Sequence, residues 1–232
     1  MYIGILVERW CGFDMRNKII TVDEAMKYIK DGSRLMICGF MSAGTPEILM
    51  DAIVKKGAQN LTVIANDSGT LDTGIGKLIS AKQVKYLIAS HIGLNAETGK
   101  QMTSGELEVE LVPQGSLAEK IRAGGAGLGG VLTPTGIGTE VEQGKIKIIL
   151  EEKEYLIELP LKAEVALIRG SIVDKSGNVY YNATTKNFNP LMATAADIVI
   201  VAAEKIVEDG ELDPNCIMTP GIFVDYIVGG ES

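Results

Sequence analysis

Apolar residues along this chain fall in short runs, each bounded by turn-forming residues. SRLMIC (33–38), LTVIA (61–65), VKYLIAS (84–90), VALIRGS (165–171) and DIVIVAA (197–203) are nearly continuous and rich in Val, Ile and Leu. Runs of this length without polar alternation read as strands covered on both faces. ELEVELV (106–112) is different, because Glu106, Glu108 and Glu110 alternate with apolar residues and share one face. Three carboxylates so close together predict a hydrated strand face in preference to jointly buried acids.

Helical spacing separates several of these strands. Thr21 and Glu24 form a capping box that opens a helix to about Ile29, which Gly32 can close. Thr45 as cap and Pro46 in the first turn open a second helix. Patterns at 74–81, 115–123 and 190–196 predict others, and Lys175-Ser176-Gly177-Asn178 predicts a hairpin turn. The alternation predicts an α/β fold of three layers, helix, sheet and helix, with a mostly parallel sheet that is mixed at the hairpin. The stretch from Gly124 to Gln143 is rich in Gly, Pro and Thr without a clear period, and reads as an ordered surface excursion. The expected organisation is an N-terminal extension over 1–14, ahead of a more ordinary start at Met15, and one domain over 15–232.

Composition narrows the function classes. With 46% hydrophobic and 22% charged residues the chain is globular in character, and a net charge of −8 argues against nucleic acid or an acidic membrane as partner. Cys11, Cys38 and Cys216 are far apart and His91 is the one histidine, so the spacing predicts neither a metal site nor a disulfide framework. No apolar run approaches the roughly 20 residues that cross a membrane. The opening segment has neither a basic start nor a small-residue cleavage site, which points to the cytoplasm.

The most informative local feature is strand, glycine loop and capped helix in SRLMICGFMSAGTPEIL (33–49). Gly39 and Gly44 permit close backbone approach, and the free N–H groups of the following helix suit a phosphate, a carboxylate or an oxyanion. The same glycines also make a short strand-to-helix turn with no ligand. Gln114 follows ELEVELV between Pro113 and Gly115, where its amide either reaches a cleft or bonds its own loop. Asn66 and Asp67 sit at another strand end with the same two readings. Gly125, Gly127 and Gly130 match a dinucleotide fingerprint but follow a helical pattern, and GIGKL (74–78) lacks the remainder of a P-loop. His91 has no nucleophile or acid beside it in sequence. Lys120 and Arg122 fall near a helix end, where cations suit the dipole.

From Met15 to about Val228 the sequence resembles the alpha subunits of family I coenzyme A-transferases of the acetate, butyrate and acetoacetate type. The N-terminal signature of that family reads here as DGSRLMICGFMSAGTP (31–46), with Cys38 in place of the first glycine of Gly-Gly-Phe. IANDSGTLDTGIGKLI, SHIGLNAETGK, KNFNPLMATAAD and MTPGIFVDYIV are further family-like blocks, as is the segment that begins GELEVELVPQGSLAEK. The resemblance implies the three-layer fold shared with sugar-phosphate isomerases. It also implies a ping-pong exchange through a glutamyl–CoA thioester, with coenzyme A as substrate and no permanently bound cofactor. The nucleophilic glutamate lies in a Ser-Glu-Asn-Gly motif of the beta subunit, and no such string occurs in this chain. By the same analogy Cys38, Gly39, Phe40, Met41, Ser42, Ala43 and Gly44 bind CoA, Gln114 supports the substrate carboxylate or oxyanion, and the assembly is α2β2. A sugar-phosphate isomerase of the same fold and a non-catalytic acyl-CoA-binding protein are the competing readings.

Overall fold

The computed structural model describes residues 17–230, so the expected extension over 1–14, Cys11 and Met15 lie outside the described residues. The Thr21–Glu24 capping box forms, with each side chain bonded to the other residue's backbone N–H. It opens α1 (Val22–Ala25), which tightens into a 3-10 turn over Met26–Tyr28. Strand and helix then alternate: β1 (Arg34–Ile37), α2 (Glu47–Lys56), β2 (Leu61–Ile64), α3 (Gly76–Ser80), β3 (Val84–Ala89), α4 (Ala96–Ser104), β4 (Glu108–Leu111) and α5 (Gln114–Ala126). After β5 (Val131–Thr133), β6 (Lys147–Leu150) and β7 (Lys153–Glu158) come two long strands, β8 (Ala163–Asp174) and β10 (Ala196–Val207). Between these lie β9 (Val179–Tyr180) and α6 (Asn189–Met192), and β11 (Tyr226–Gly229) follows.

The main sheet has eight strands in the order β11-β10-β8-β1-β2-β3-β4, with β9 paired to β8. Every neighbour in that order is parallel, and the β8–β9 pair is the antiparallel hairpin predicted at 175–178. Alternate residues of one strand enter different cores. Leu35 and Ile37 of β1 pack with Leu49, Ile53 and Leu78 from α2 and α3, whereas Met36 packs with Leu117 and Ile121 of α5. Those two apolar layers are the physical content of the three-layer architecture, and they explain why the central runs carry no polar alternation.

Several local expectations need correcting. The N-cap of α2 is Pro46, one residue beyond the expected Thr45, whose side chain is buried with its hydroxyl turned toward Gly39. The helix expected over 190–196 is the single turn of α6, since the chain has already joined β10 at Ala196. Gly124–Gln143 is not simply an excursion: Gly124 and Gly125 continue α5, and Val131–Thr133 enters a separate three-stranded antiparallel sheet, β5-β7-β6. A Cβ on Gly124 would stand 1.9 Å from Leu161 O, and one on Gly125 2.1 Å from Thr194 Oγ1. These glycines therefore allow close helix packing and do not form a nucleotide turn.

Candidate active site

Because β1 to β4 are adjacent and parallel, the segments that leave their carboxyl ends meet at one edge of the sheet. They are Cys38–Gly44 after β1, Asn66 and Asp67 after β2, Ser90 and His91 after β3, and Gln114 after β4. The order of strands reverses between β1 and β8, so the Cys38–Gly44 loop lies at a topological switch point, where open α/β sheets take their ligands.

The loop is built from a two-residue turn. Phe40 N donates to Ala43 O (3.0 Å) and Ala43 N to Phe40 O (2.9 Å), with Met41 (φ 48°) and Ser42 (φ 69°) between them. Two consecutive non-glycine residues at positive φ cost on the order of 1–2 kcal/mol each, so the surroundings must hold them. Asp67 Oδ2 accepts from Met41 N at 2.9 Å, and Ser42 Oγ bonds Thr73 Oγ1, which in turn meets Thr70 Oγ1. At Gly39 (φ 122°) a Cβ would stand 1.9 Å from Thr45 Oγ1, so glycine is required there twice over. Cys38, which departs from the family glycine, needs no such freedom. It has no positive φ, is fully buried, and sets its thiol 3.3 Å from Met192 Sδ in the core. Burial pushes that thiol well above its ordinary pKa, which suits a packing residue and not a nucleophile.

Gln114 is the first residue of α5 and is exposed, so it opens a helix where a turn was expected. Its Nε2 donates to Asn66 Oδ1 at 2.9 Å, and Ser90 Oγ bonds the same oxygen at 2.8 Å. Asn66 thus orients the Gln114 amide from β2, and Ser90 orients Asn66 from β3. Pro113 gives α5 no side-chain cap, so the first-turn N–H groups open toward the same edge as the glutamine. The structure brings Gln114, Asn66 and Asp67 to the end of the sheet that carries the Cys38–Gly44 loop. Ser90, Thr70 and Thr73 were not legible, because lone hydroxyl residues in loops carry no pattern. Asn187 and Asn189 did have a signal in the block KNFNP, and they hydrogen-bond the loop from the β8 side (Asn187 Nδ2 to Ala43 O 2.8 Å, Asn189 Nδ2 to Gly44 O 3.0 Å).

Carboxylates near the loop are already engaged. Asp67 is buried and also accepts from Gly69 N (3.3 Å), while Glu47 accepts from Gly74 N (2.7 Å) and pairs with Lys77 (2.8 Å). Lys77 also meets Asp51 at 2.6 Å, which accounts for the lysine of the false P-loop. Glu106, just before β4, pairs with Lys82, Glu108 of the edge strand β4 pairs with Lys85 of β3, and Glu110 accepts from Tyr86 OH (2.8 Å). His91 is exposed and its neighbours supply no triad. Arg122 pairs with Glu119 on the helix surface, but Lys120 corrects the helix-end reading: it is buried and meets Glu158 at 3.3 Å. A cavity of about 550 Å³ opens at the amino ends of the strands among Lys27, Lys30, Asp31, Glu164 and Asp197, away from all this chemistry. Its mixed charges and distance from the convergent polar groups make it the weaker candidate. Among the described residues no cluster of His, Cys, Asp and Glu is arranged to hold a metal, and no helix is long and apolar enough to cross a membrane.

The coenzyme A transferase family model matches residues 19–230. The acetoacetyl-CoA:acetate/butyrate CoA transferase alpha subunit of Clostridium acetobutylicum is 56% identical over 92% of this chain and 98% of its own length. The acetate CoA-transferase subunit alpha of Escherichia coli is 51% identical over 92% and 97%. Among solved structures, an acyl-CoA transferase of Escherichia coli O157:H7, in a thioester complex with CoA, matches with a TM-score of 0.82 at 24% identity. That match covers 93% of this chain and 48% of the other, so the chain spans about half of that enzyme's length. The glutaconate coenzyme A-transferase of Acidaminococcus fermentans matches with a TM-score of 0.78 at 22% identity over 91% and 75%. Both structures share the fold of this chain, and the match along nearly the whole sequence makes it a member of the coenzyme A transferase family.

Proposed function

We propose that this chain is the alpha subunit of a heteromeric CoA-transferase that moves CoA between acetoacetyl-CoA, or a short acyl-CoA, and acetate or butyrate. The observation that carries the reading is the near full-length identity to a subunit of that activity, 56% over 214 residues. The beta subunit supplies the nucleophile. Its glutamate carboxylate attacks the acyl-CoA carbonyl and expels CoA thiolate, leaving a mixed anhydride. The thiolate then attacks the glutamyl carbonyl and releases the free acid, so that CoA is held as a glutamyl thioester. An incoming carboxylate reverses these steps and leaves as the new acyl-CoA.

The share of this chain is binding and charge stabilisation. The Cys38–Gly44 loop receives CoA at the switch point, and the Gln114 amide, held by Asn66, donates to the oxyanion or carboxylate. Engagement of Asp67 and Glu47 by backbone amides and Lys77 leaves neither poised as a nucleophile, which supports a glutamate from the partner and disfavours a self-sufficient isomerase. Phe40, Met41, Leu71, Leu94 and Leu111 are exposed on segments that leave this end of the sheet, an apolar rim suited to a covering subunit.

The test is acetoacetyl-CoA turnover with acetate or butyrate, using this chain alone and then co-expressed with a candidate beta subunit that carries Ser-Glu-Asn-Gly. Activity in the pair alone is expected. Equal activity from the isolated chain would refute the division of labour.

A further inference from the structure

We infer that Asn187 and Asn189 are positioning residues that clamp the Cys38–Gly44 turn in its ligand-ready shape, an inference that rests on the loop being the CoA site. Neither is a catalytic residue. The turn places Met41 and Ser42 at positive φ, where a hairpin of this size ordinarily has Asn-Gly. It therefore lacks the residues that would form it unaided. Asp67 bonds the turn from the β2 side, at Met41 N. From the β8 side, Asn187 Nδ2 donates to Ala43 O at 2.8 Å, the carbonyl that also closes the turn with Phe40 N.

Asn189 ties this contact to the sheet. It is fully buried, and its Oδ1 accepts from Arg169 N of β8 at 2.9 Å. Its Nδ2 donates to Thr185 O (2.6 Å) and to Gly44 O (3.0 Å). A Cβ at Gly44 would stand 2.6 Å from Thr185 O, so the two segments approach as closely as backbones can. The loop after β1 is thus held against the strand on the far side of the switch point, through amide donors that no other residue supplies to Ala43 O and Gly44 O among the described side chains.

Asn187→Asp removes the donor and keeps the acceptor for Phe188 N, at an exposed position where misfolding is not expected. In the assembled heteromer this variant should raise KM for acetoacetyl-CoA at least about tenfold, because it loses one donor and sets a carboxylate against the Ala43 carbonyl. KM for acetate should move less than about twofold, since that substrate makes no use of the loop. Amide hydrogen exchange at Phe40 and Ala43 should quicken in the same variant. In a background carrying Met41→Asn and Ser42→Gly, which forms the turn unaided, the effect of Asn187→Asp should shrink at least about threefold.

Unchanged exchange at Phe40 and Ala43 would overturn the clamp itself. Faster exchange with unchanged KM for acetoacetyl-CoA would keep the clamp and overturn the CoA assignment of the loop. A rise in both KM values, or the same effect in both backgrounds, would reduce Asn187 to a structural residue.

Discussion

Gly39 stands under two constraints at once, a φ of 122° and a Thr45 hydroxyl 1.9 Å from where a Cβ would be. Thr45 is buried, so it cannot simply swing aside. Gly39→Ala should therefore cost about 2–4 kcal/mol, the sum of backbone strain and overpacking, read by urea unfolding. Gln114 is the opposite case. It is exposed and makes one hydrogen bond, so Gln114→Ala should change stability by less than about 0.5 kcal/mol. In the heteromer it should lower kcat/KM roughly 100-fold, the scale of one oxyanion donor; a loss under threefold would return Gln114 to a turn residue. Tyr86 gives a pH signature. Burial, and then the hydrogen bond to Glu110, push its hydroxyl from 10 up to about 12. The unfolded chain ionises near 10 while the folded one stays neutral, so this contribution is complete below pH 10 and lost as pH rises to 12. Melting curves of Tyr86→Phe should lack that decline, and parallel curves for the two proteins would contradict the assignment.

Between elements, the most consequential contact is the buried ion cluster joining α5 to the small sheet. Glu158 of β7, 1% exposed, meets Lys120 of α5 at 3.3 Å and Lys145 at 2.5 Å. Removing the acid leaves the buried Lys120 with only the partly exposed Glu110 at 3.6 Å, so Glu158→Leu should cost about 3 kcal/mol in denaturant unfolding. Adding Lys120→Met should recover part of that loss; no recovery would show that the two residues do not depend on each other. None of this was legible, since Lys120 and Glu158 are far apart in sequence and Lys120 also satisfies a helix-end pattern. The central strands were legible because burial on both faces leaves continuous Val, Ile and Leu. Helix α4 was not, because its buried residues are Thr98 and Gln101, with Gln101 Nε2 on Ile79 O, so no apolar stripe marks it. The small sheet escaped for a related reason: β6 is mostly exposed and shows no inward face. Thr45 misled as a cap because its hydroxyl is buried against Gly39 and the helix starts one residue later.

At the scale of the whole molecule, the fold is a machine for bringing distant loops to one edge. Strands β1 to β4 run outward, the chain returns by the small sheet, and β8 starts the second wing beside β1. Gln114, Asn66 and the loop after β1 could each be named from sequence as strand-end residues. Their agreement in space, and the second wing's contribution through Asn187 and Asn189, required the topology. In the proposed function this edge supplies binding and polarisation, and the nucleophile comes from the partner. The measurement that tests this most directly is the intact mass of both chains after the heteromer meets acetoacetyl-CoA without an acceptor acid. A CoA-sized adduct on the beta subunit, with this chain unmodified, is the predicted result. The same adduct on this chain would place the nucleophile here and contradict the account.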